Sequence, residues 1–501
     1  MPKLATSLPL SLSAPSPGTP LYRWFYEELR SAILERRIAP GARLPATRDL
    51  AREYKLSRAT VVAAFEQLKS EGYVEGKVGA GTYVSQVLPE ELLHVARAGT
   101  GAGMGPRRVR WSSYARRLAL FRGGGEPRIT RAFRANQAAL DAFPTTLWAQ
   151  VAARRLRRAS TKLLAGGEAR GYRPLRQAVA EYLNASRGVK CSADQVLIIS
   201  GVQEALERAA HLLLDPGDPV WVEEPGYPGA AIVFAAVGAK VHPVPVNAEG
   251  LDLEYGRRRW RHAKLVYVTP AHQFPLGVTM SLRRRLALLE WARRSQTLIF
   301  EDDYDSEYRY SGRPIPALQG LDRAGVVIFA GSFNEVLFPA LRLGYLVVPP
   351  AMVDRFGAAQ SVSMRHAPLL DQAVLCDFIT EGHFARHIRR MRELYAERLG
   401  VLLESSRSRL SGLLEIPSVE AGLQMVGWLA PGIRADDAAE EAIKREVEVI
   451  PLSRYSSRRY RRQGLLLGFA AVDSRELRRG VEQLARALER CNDVRRKTRN
   501  S

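Results

Sequence analysis

Leu21, Phe25, Leu29 and Ile33 recur every four residues near the start of the chain, with Trp24 and Ala32 beside them. That spacing puts them on one face of a helix, which Pro40 and Gly41 close. A second helix is predicted over "TRDLAREYK", with Thr47 as its N-cap and Leu50 and Ala51 buried. Ser57 caps a third, "RATVVAAFEQLKSEG", which buries Val61, Val62, Phe65 and Leu68 and stops at Gly72. "YVEGKVGAGTYV" then reads as strand, glycine-rich turn, strand.

The pattern changes further along. Between residues 128 and 490, short apolar runs such as "QVLIIS", "PVWVEEP", "AKLVYVTP", "TLIFEDD", "GVVIFAGS" and "LGYLVVP" alternate with helical stretches. "GVQEALERAAHLLL" is one of these, with its stripe on Leu206, Ala210 and Leu213. Such alternation predicts an α/β domain with a mostly parallel sheet covered on both faces. Four flanking segments complete the division. Residues 1–18 read as a disordered arm and 19–85 as the helical unit with its hairpin. Residues 86–127 are a linker rich in Gly, Arg and Pro, and 491–501 a basic, frayed tail. Trp111, Tyr114 and Phe121 leave open a second reading, in which part of the linker packs on a neighbouring domain.

Composition narrows the partners. The net charge of +22 rests on arginine, because lysine occurs at only ten positions. Either a polyanionic partner or an arginine-rich proteome accounts for this surplus. Cys191, Cys376 and Cys491 lie far apart, without metal spacing. That suits a reducing cytoplasm and argues against a disulfide framework or a metal site. No run of about 18 apolar residues predicts a membrane span, and the broken apolar start "MPKLATSLPLSLSAPSPGTP" does not read as a signal peptide.

Three helices with a tight turn between the second and third, then a hairpin, form a winged helix-turn-helix. The third helix would lie in a major groove and offer Ser57, Arg58 and Thr60 at its first turn. Arg48 would reach backbone phosphates. Lys77, between Gly76 and Gly79, would sit in a wing able to approach the duplex closely. The stretch "APGARLPATRDLAREYKLSRATVVAAFEQLKSEGYVEGKVGAGTYV" closely resembles the DNA-binding domain of GntR-type bacterial regulators. The resemblance implies a double-stranded DNA operator as partner.

Residues 128–490 resemble fold-type-I aminotransferases, whose domain is a three-layer α/β/α structure with a small C-terminal α+β subdomain. The resemblance is strongest to the MocR/GabR branch, where a GntR-type reader is fused to such a domain. It implies a pyridoxal phosphate site. Gly201, Val202 and Gln203 would hold the phosphate at a helix start, and Tyr227 would stack on the ring. Asp302 would meet the ring nitrogen, Tyr304 the ring hydroxyl, and Ser332 and Arg342 the phosphate. "YVTPAHQFPLGVTMSLRRR", with Phe274 before Pro275, matches the loop between them, and "PLSRY" and "GLLLGFA" match the small subdomain.

One departure bears on chemistry. In "GSFNEVLFPALRLGY" the family's cofactor-bearing lysine falls on Glu335, preceded by Asn334. No lysine occurs between Lys264 and Lys444. A carboxylate cannot bond the cofactor covalently, nor shuttle a substrate proton as the freed amine does. The expected catalytic set is therefore empty. Val202 also replaces a hydroxyl often offered to phosphate, and Gly229 stands where the branch's second ligand arginine is sought. Arg454 is the candidate for a ligand carboxylate. Three readings of Glu335 stay open: a vestigial site in a dimer scaffold, pyridoxal phosphate held without a covalent link, or a carboxylate that selects pyridoxamine phosphate or an amino ligand. The expectation is a cytoplasmic, homodimeric regulator whose effector is a B6 vitamer or an amino compound. The alternative is a pyridoxal-phosphate-dependent aminotransferase carrying a DNA-binding domain.

Overall fold

The computed structural model describes residues 18–77, 81–88, 109–121, 130–312, 315–417, 419–457 and 462–499. The chain divides into two units, Met1–Arg110 and Trp111–Ser501. The expected arm, 1–18, lies almost wholly outside the described residues.

In the first unit α1 spans Leu21–Leu34, α2 Thr47–Glu53 and α3 Arg58–Ser70. Strands β1, Val74–Lys77, and β2, Gly81–Val84, pair antiparallel as the wing. Phe25, Leu29, Leu50, Val61 and Leu68 meet in one core, and each is fully buried. Three sequence expectations shift. Leu21, at the open end of α1, is exposed. Thr47 is the first helical residue rather than the cap, and Ala46 precedes it without a side-chain cap. Val62 points outward, and Ala64 takes the buried place beside Phe65.

The second unit is built on an eight-stranded sheet. Its strands are β3 (Val196–Ile199), β4 (Pro219–Glu224), β5 (Lys240–Asn247), β6 (Gly250–Leu251), β7 (Leu265–Val268), β8 (Leu298–Asp303), β9 (Val327–Ser332) and β10 (Gly344–Val347). Their order is β3-β10-β9-β8-β7-β4-β5-β6. The pairs joining β9, β8, β7, β4 and β5 are all parallel. β10 runs against both its neighbours, and β6 against β5. All residues of β3, β7, β9 and β10 are buried, as strands covered on both faces require. A second, four-stranded antiparallel sheet forms the small subdomain, from β11 (Leu414–Glu415), β12 (Gln424–Leu429), β13 (Ile450–Pro451) and β14 (Gly464–Gly468). The fold is thus the expected α/β architecture with a small α+β subdomain. No helix among the described residues is long and apolar enough to cross a membrane, and no group of His, Cys, Asp or Glu among them is set to hold a metal.

Two boundaries move. Within the expected linker, the helix Ser113–Leu118 packs on the helix Pro228–Val237. Ser112 caps it by accepting from the Ala115 N–H at 3.1 Å. The reading in which part of the linker docks is the one that the structure matches. The tail expected to fray from residue 491 instead continues the last helix, Ser474–Arg499.

Candidate cofactor and nucleic-acid sites

The larger site lies where strand ends and helix starts meet. Ser332 at the end of β9 pairs with Gly344 of β10, which also pairs with Ile199 of β3. The chain leaving β3 therefore turns into the helix Val202–Leu213 beside the turn that follows β9. Gly201 makes this approach possible. Its φ is 147°, and a Cβ there would come within 3.0 Å of the Asn334 amide nitrogen. Asn334 staples the two segments, donating to the Ser200 carbonyl at 3.2 Å and accepting from the Leu343 N–H at 3.2 Å.

A cavity of about 170 Å³ opens here, lined by Asn136, Val202, Tyr227, Tyr267, Thr269, Phe274, Asp302, Tyr304 and Glu335. Four of the eight expected cofactor contacts, Val202, Tyr227, Asp302 and Tyr304, line it together with Glu335. Asp302 is 5% exposed. Its Oδ2 accepts from the Tyr267 hydroxyl at 2.6 Å, while Oδ1 is buried without a partner among the described residues. Glu335 is partly exposed as a residue, yet its Oε2 is also buried and unpartnered. Burial pushes the Asp302 carboxyl up to about 8, against the Tyr267 hydrogen bond, and the Glu335 charge adds to the rise. Burial raises Glu335 too, while the Ser332 hydroxyl and Arg342 oppose it. No lysine lines the cavity.

The other expected contacts sit around this core. Ser332 accepts from the Asn334 N–H at 3.1 Å. Gln203 has its carboxamide engaged, accepting from the Tyr227 hydroxyl at 2.9 Å and donating to the Gly229 carbonyl at 3.3 Å. What Gln203 offers a phosphate is thus its backbone N–H in the first helical turn. Arg342 is exposed, and its side chain makes no hydrogen bond or ion pair among the described residues. The Tyr304 hydroxyl contacts His272 Nδ1 at 3.0 Å, and that nitrogen faces the Asp305 carboxylate at 2.9 Å. Arg454 is exposed and does not line the cavity. Its neighbour Tyr455 packs edge-on against Phe274 with ring centres 5.0 Å apart.

Sequence reasoning missed Asn136, Tyr267 and Thr269. Tyr267 lies within the apolar run "KLVYVTP", where a tyrosine reads as core. Asn136 has φ 57°, a backbone state that asparagine tolerates. That preference is the one local signal it carried.

These residues fit a pyridoxal-type cofactor. A pyridinium N–H would satisfy Asp302 Oδ1, and a cation would satisfy Glu335 Oε2. A phosphate would be held by the helix start at Gly201, Val202 and Gln203, the Ser332 hydroxyl and the Arg342 guanidinium.

The first unit carries the second site. Ser57 caps α3, accepting from the Thr60 N–H at 3.0 Å, and its hydroxyl lies 2.8 Å from that of Thr60. Ser57 thus fixes the start of α3. Arg58 is exposed, and so is Arg48, whose nearest carboxylate is Asp49 at 3.9 Å. Both guanidiniums are available to phosphates. Lys77 ends β1, and its side chain lies outside the described residues.

Comparison with known proteins agrees with this division. Residues 21–84 match the model of bacterial regulatory proteins of the gntR family, and residues 133–484 that of aminotransferase class I and II. The probable rhizopine catabolism regulatory protein MocR of Rhizobium meliloti is 40% identical over 472 residues, covering 94% of both chains. The pyridoxine biosynthesis transcriptional regulator PdxR of Corynebacterium glutamicum is 26% identical, covering 97% of this chain and 99% of its own. Among solved structures, the α-aminoadipate aminotransferase LysN of Thermus thermophilus, complexed with N-(5'-phosphopyridoxyl)-L-leucine, superposes with a TM-score of 0.67. It is 28% identical, and the match covers 72% of this chain and 92% of that one.

Proposed function

The chain belongs to the MocR-type regulators, a gntR-family reader joined to an aminotransferase class I and II domain, and from that premise we propose a DNA-binding transcriptional regulator whose large unit recognises a B6 phosphate without covalent attachment. The observation that carries the reading is the pair of acids, Asp302 and Glu335, in one cavity that no lysine enters. When bound, the cofactor would supply a ring that withdraws electrons, but Glu335 has no amine with which to hold it or to return a proton.

What this chain's residues do instead is select charge. Two carboxyls whose affinity for protons is raised by burial, that of Asp302 also by the Glu335 charge, are relieved by two cationic donors. Asp302 Oδ1 would accept from the ring nitrogen, and Glu335 Oε2 from an ammonium at the opposite edge. Tyr227 would cover the ring face. The amine form, pyridoxamine phosphate, offers both donors, whereas the aldehyde offers one. The protein would work as a homodimer on double-stranded operator DNA in the bacterial cytoplasm. Its α3 would sit in the major groove, with Arg48 and Arg58 on phosphates.

Titration calorimetry of the full chain with each vitamer tests this. Pyridoxamine phosphate is expected to bind about tenfold or more tighter than pyridoxal phosphate, the size of one charge-assisted bond. Glu335→Gln should remove the preference. Equal affinities would overturn the charge-selection reading. A pyridoxyl group fixed to the protein by borohydride, or steady transamination abolished by Asp302→Ala, would favour the aminotransferase alternative.

A further inference from the structure

A second cavity, of about 380 Å³, lies in the large unit and shares no lining residue with the first. Four guanidiniums line it, those of Arg187, Arg285, Arg309 and Arg392, against one carboxyl, Glu307. The charges do not cancel. Arg187 is paired with Asp303 at 2.9 Å, and Arg309 with the exposed Glu420 at 3.1 Å. Arg285 is 1% exposed and spends its donors on the carbonyls of Met280, Pro316 and Pro270. Arg392 directs Nε and Nη2 to the Glu307 carbonyl. Neither has a carboxylate within ion-pair distance among the described residues, although Glu301 and Asp303 act on Arg285 from further away.

Glu307 offsets part of this surplus. Burial pushes its carboxyl up to about 7, and the Tyr182 hydroxyl donates to it at 2.8 Å. The Ser306 hydroxyl is buried at the wall without a partner. The rest of the wall is mixed: Phe384 and Ile388 from the helix His383–Arg409 and Ala421 give it an apolar part, and Ser186, Thr279, Tyr310 and Ser311 a polar one.

We propose that this cavity is a binding site for a small organic anion, its oxyanion held by Arg392 and the Ser306 hydroxyl and its apolar body lying on Phe384 and Ile388. A surplus of cations attracts one anion, with Arg392 its exposed member, and guanidinium N–H groups suit a planar oxyanion. The volume falls within the range of about 300–1,000 Å³ usual for small-molecule sites. The apolar part of the wall, at Phe384 and Ile388, favours a carboxylate with a hydrocarbon tail over a bare inorganic anion. Ala271 forms one wall of this cavity, and Thr269 and Phe274, on the same loop, line the first. A ligand here would therefore rest against the loop that shapes the cofactor cavity.

Titration of the full chain with hexanoate, inorganic phosphate and hexylamine separates the chemistries. Hexanoate is expected to bind, phosphate to bind at least about tenfold more weakly, and hexylamine not to bind. Arg392→Met and Ser306→Ala should each weaken hexanoate binding, the arginine change by about tenfold or more. Arg434→Met, at an exposed arginine outside this lining, should leave it unchanged. The proposal is overturned if hexanoate does not bind, if phosphate binds as well as hexanoate, or if Arg392→Met and Ser306→Ala bind hexanoate as the parent does. None of these outcomes depends on B6 binding in the first cavity.

Discussion

Asp302 and Glu335 are acids held in an environment that suits their neutral forms. Asp302 titrates near 8 in the fold, against an ordinary value near 3.8. The folded chain therefore binds more protons at this position than the unfolded chain between those limits. Its contribution to stability is fully present below about 4 and is lost as pH rises towards 8. Glu335 is shifted in the same direction and adds to the slope. Denaturant unfolding without added vitamer should thus show stability falling across that window, and Asp302→Asn should flatten the fall. An unchanged slope in the variant would mean that the carboxyl is already ionised in the fold. The positions of these two residues were legible in the sequence, because the resemblance singles them out. Their chemistry was not. It depends on Tyr267 donating from the middle of a strand, and on Oδ1 and Oε2 lacking partners, which are three-dimensional facts.

At the scale of elements, the hydrophobic spacing located all three helices of the reader and the wing, because one-sided burial imposes a period that the residues must obey. It erred where side-chain hydrophobicity was followed in place of spacing. Val61, Ala64, Phe65 and Leu68 hold the i, i+3, i+4, i+7 places of one face of α3, and Val62 falls outside them. Two-residue strands such as β11 and β13 leave no period to detect. The start of α3 separates stability from recognition. Ser57→Ala removes the acceptor of the Thr60 N–H and should cost about 1 kcal/mol of folding stability. Arg58→Ala removes an exposed cation and should leave stability nearly unchanged. It should weaken binding to any duplex and lower the salt-dependence slope by about 1. Thermal melts and DNA titrations at several salt concentrations distinguish the two. A loss of binding in Arg58→Ala with no change in slope would mean that the arginine does not reach a phosphate.

The proposed function connects a ligand cavity to a reader, and among the described residues the helix Ser113–Leu118 is where the chain leading from the reader packs on the large unit. Composition alone reads this Gly-, Arg- and Pro-rich segment as linker, and its aromatic residues, Tyr114 among them, carried the signal that part of it docks. The Tyr114 hydroxyl donates to Glu207 at 3.1 Å, and its ring lies 5.5 Å from that of His211, both on the helix that begins at Val202. Arg117 donates to the Ala236 carbonyl at 2.7 Å, at the end of the helix that begins just after Tyr227. One short helix thus touches the two helices whose starts form the cavity, and the Tyr227–Gln203 hydrogen bond joins those starts to each other. A ligand that fixes Tyr227 and Val202 should steady both helices and, through them, the docked segment. Hydrogen exchange with saturating pyridoxamine phosphate should therefore slow at residues 111–121 as well as at 202–213. In Arg117→Ala the slowing should persist at 202–213 and shrink at 111–121. Equal protection of 111–121 in parent and variant would show that the ligand's influence reaches that segment by a route other than Arg117.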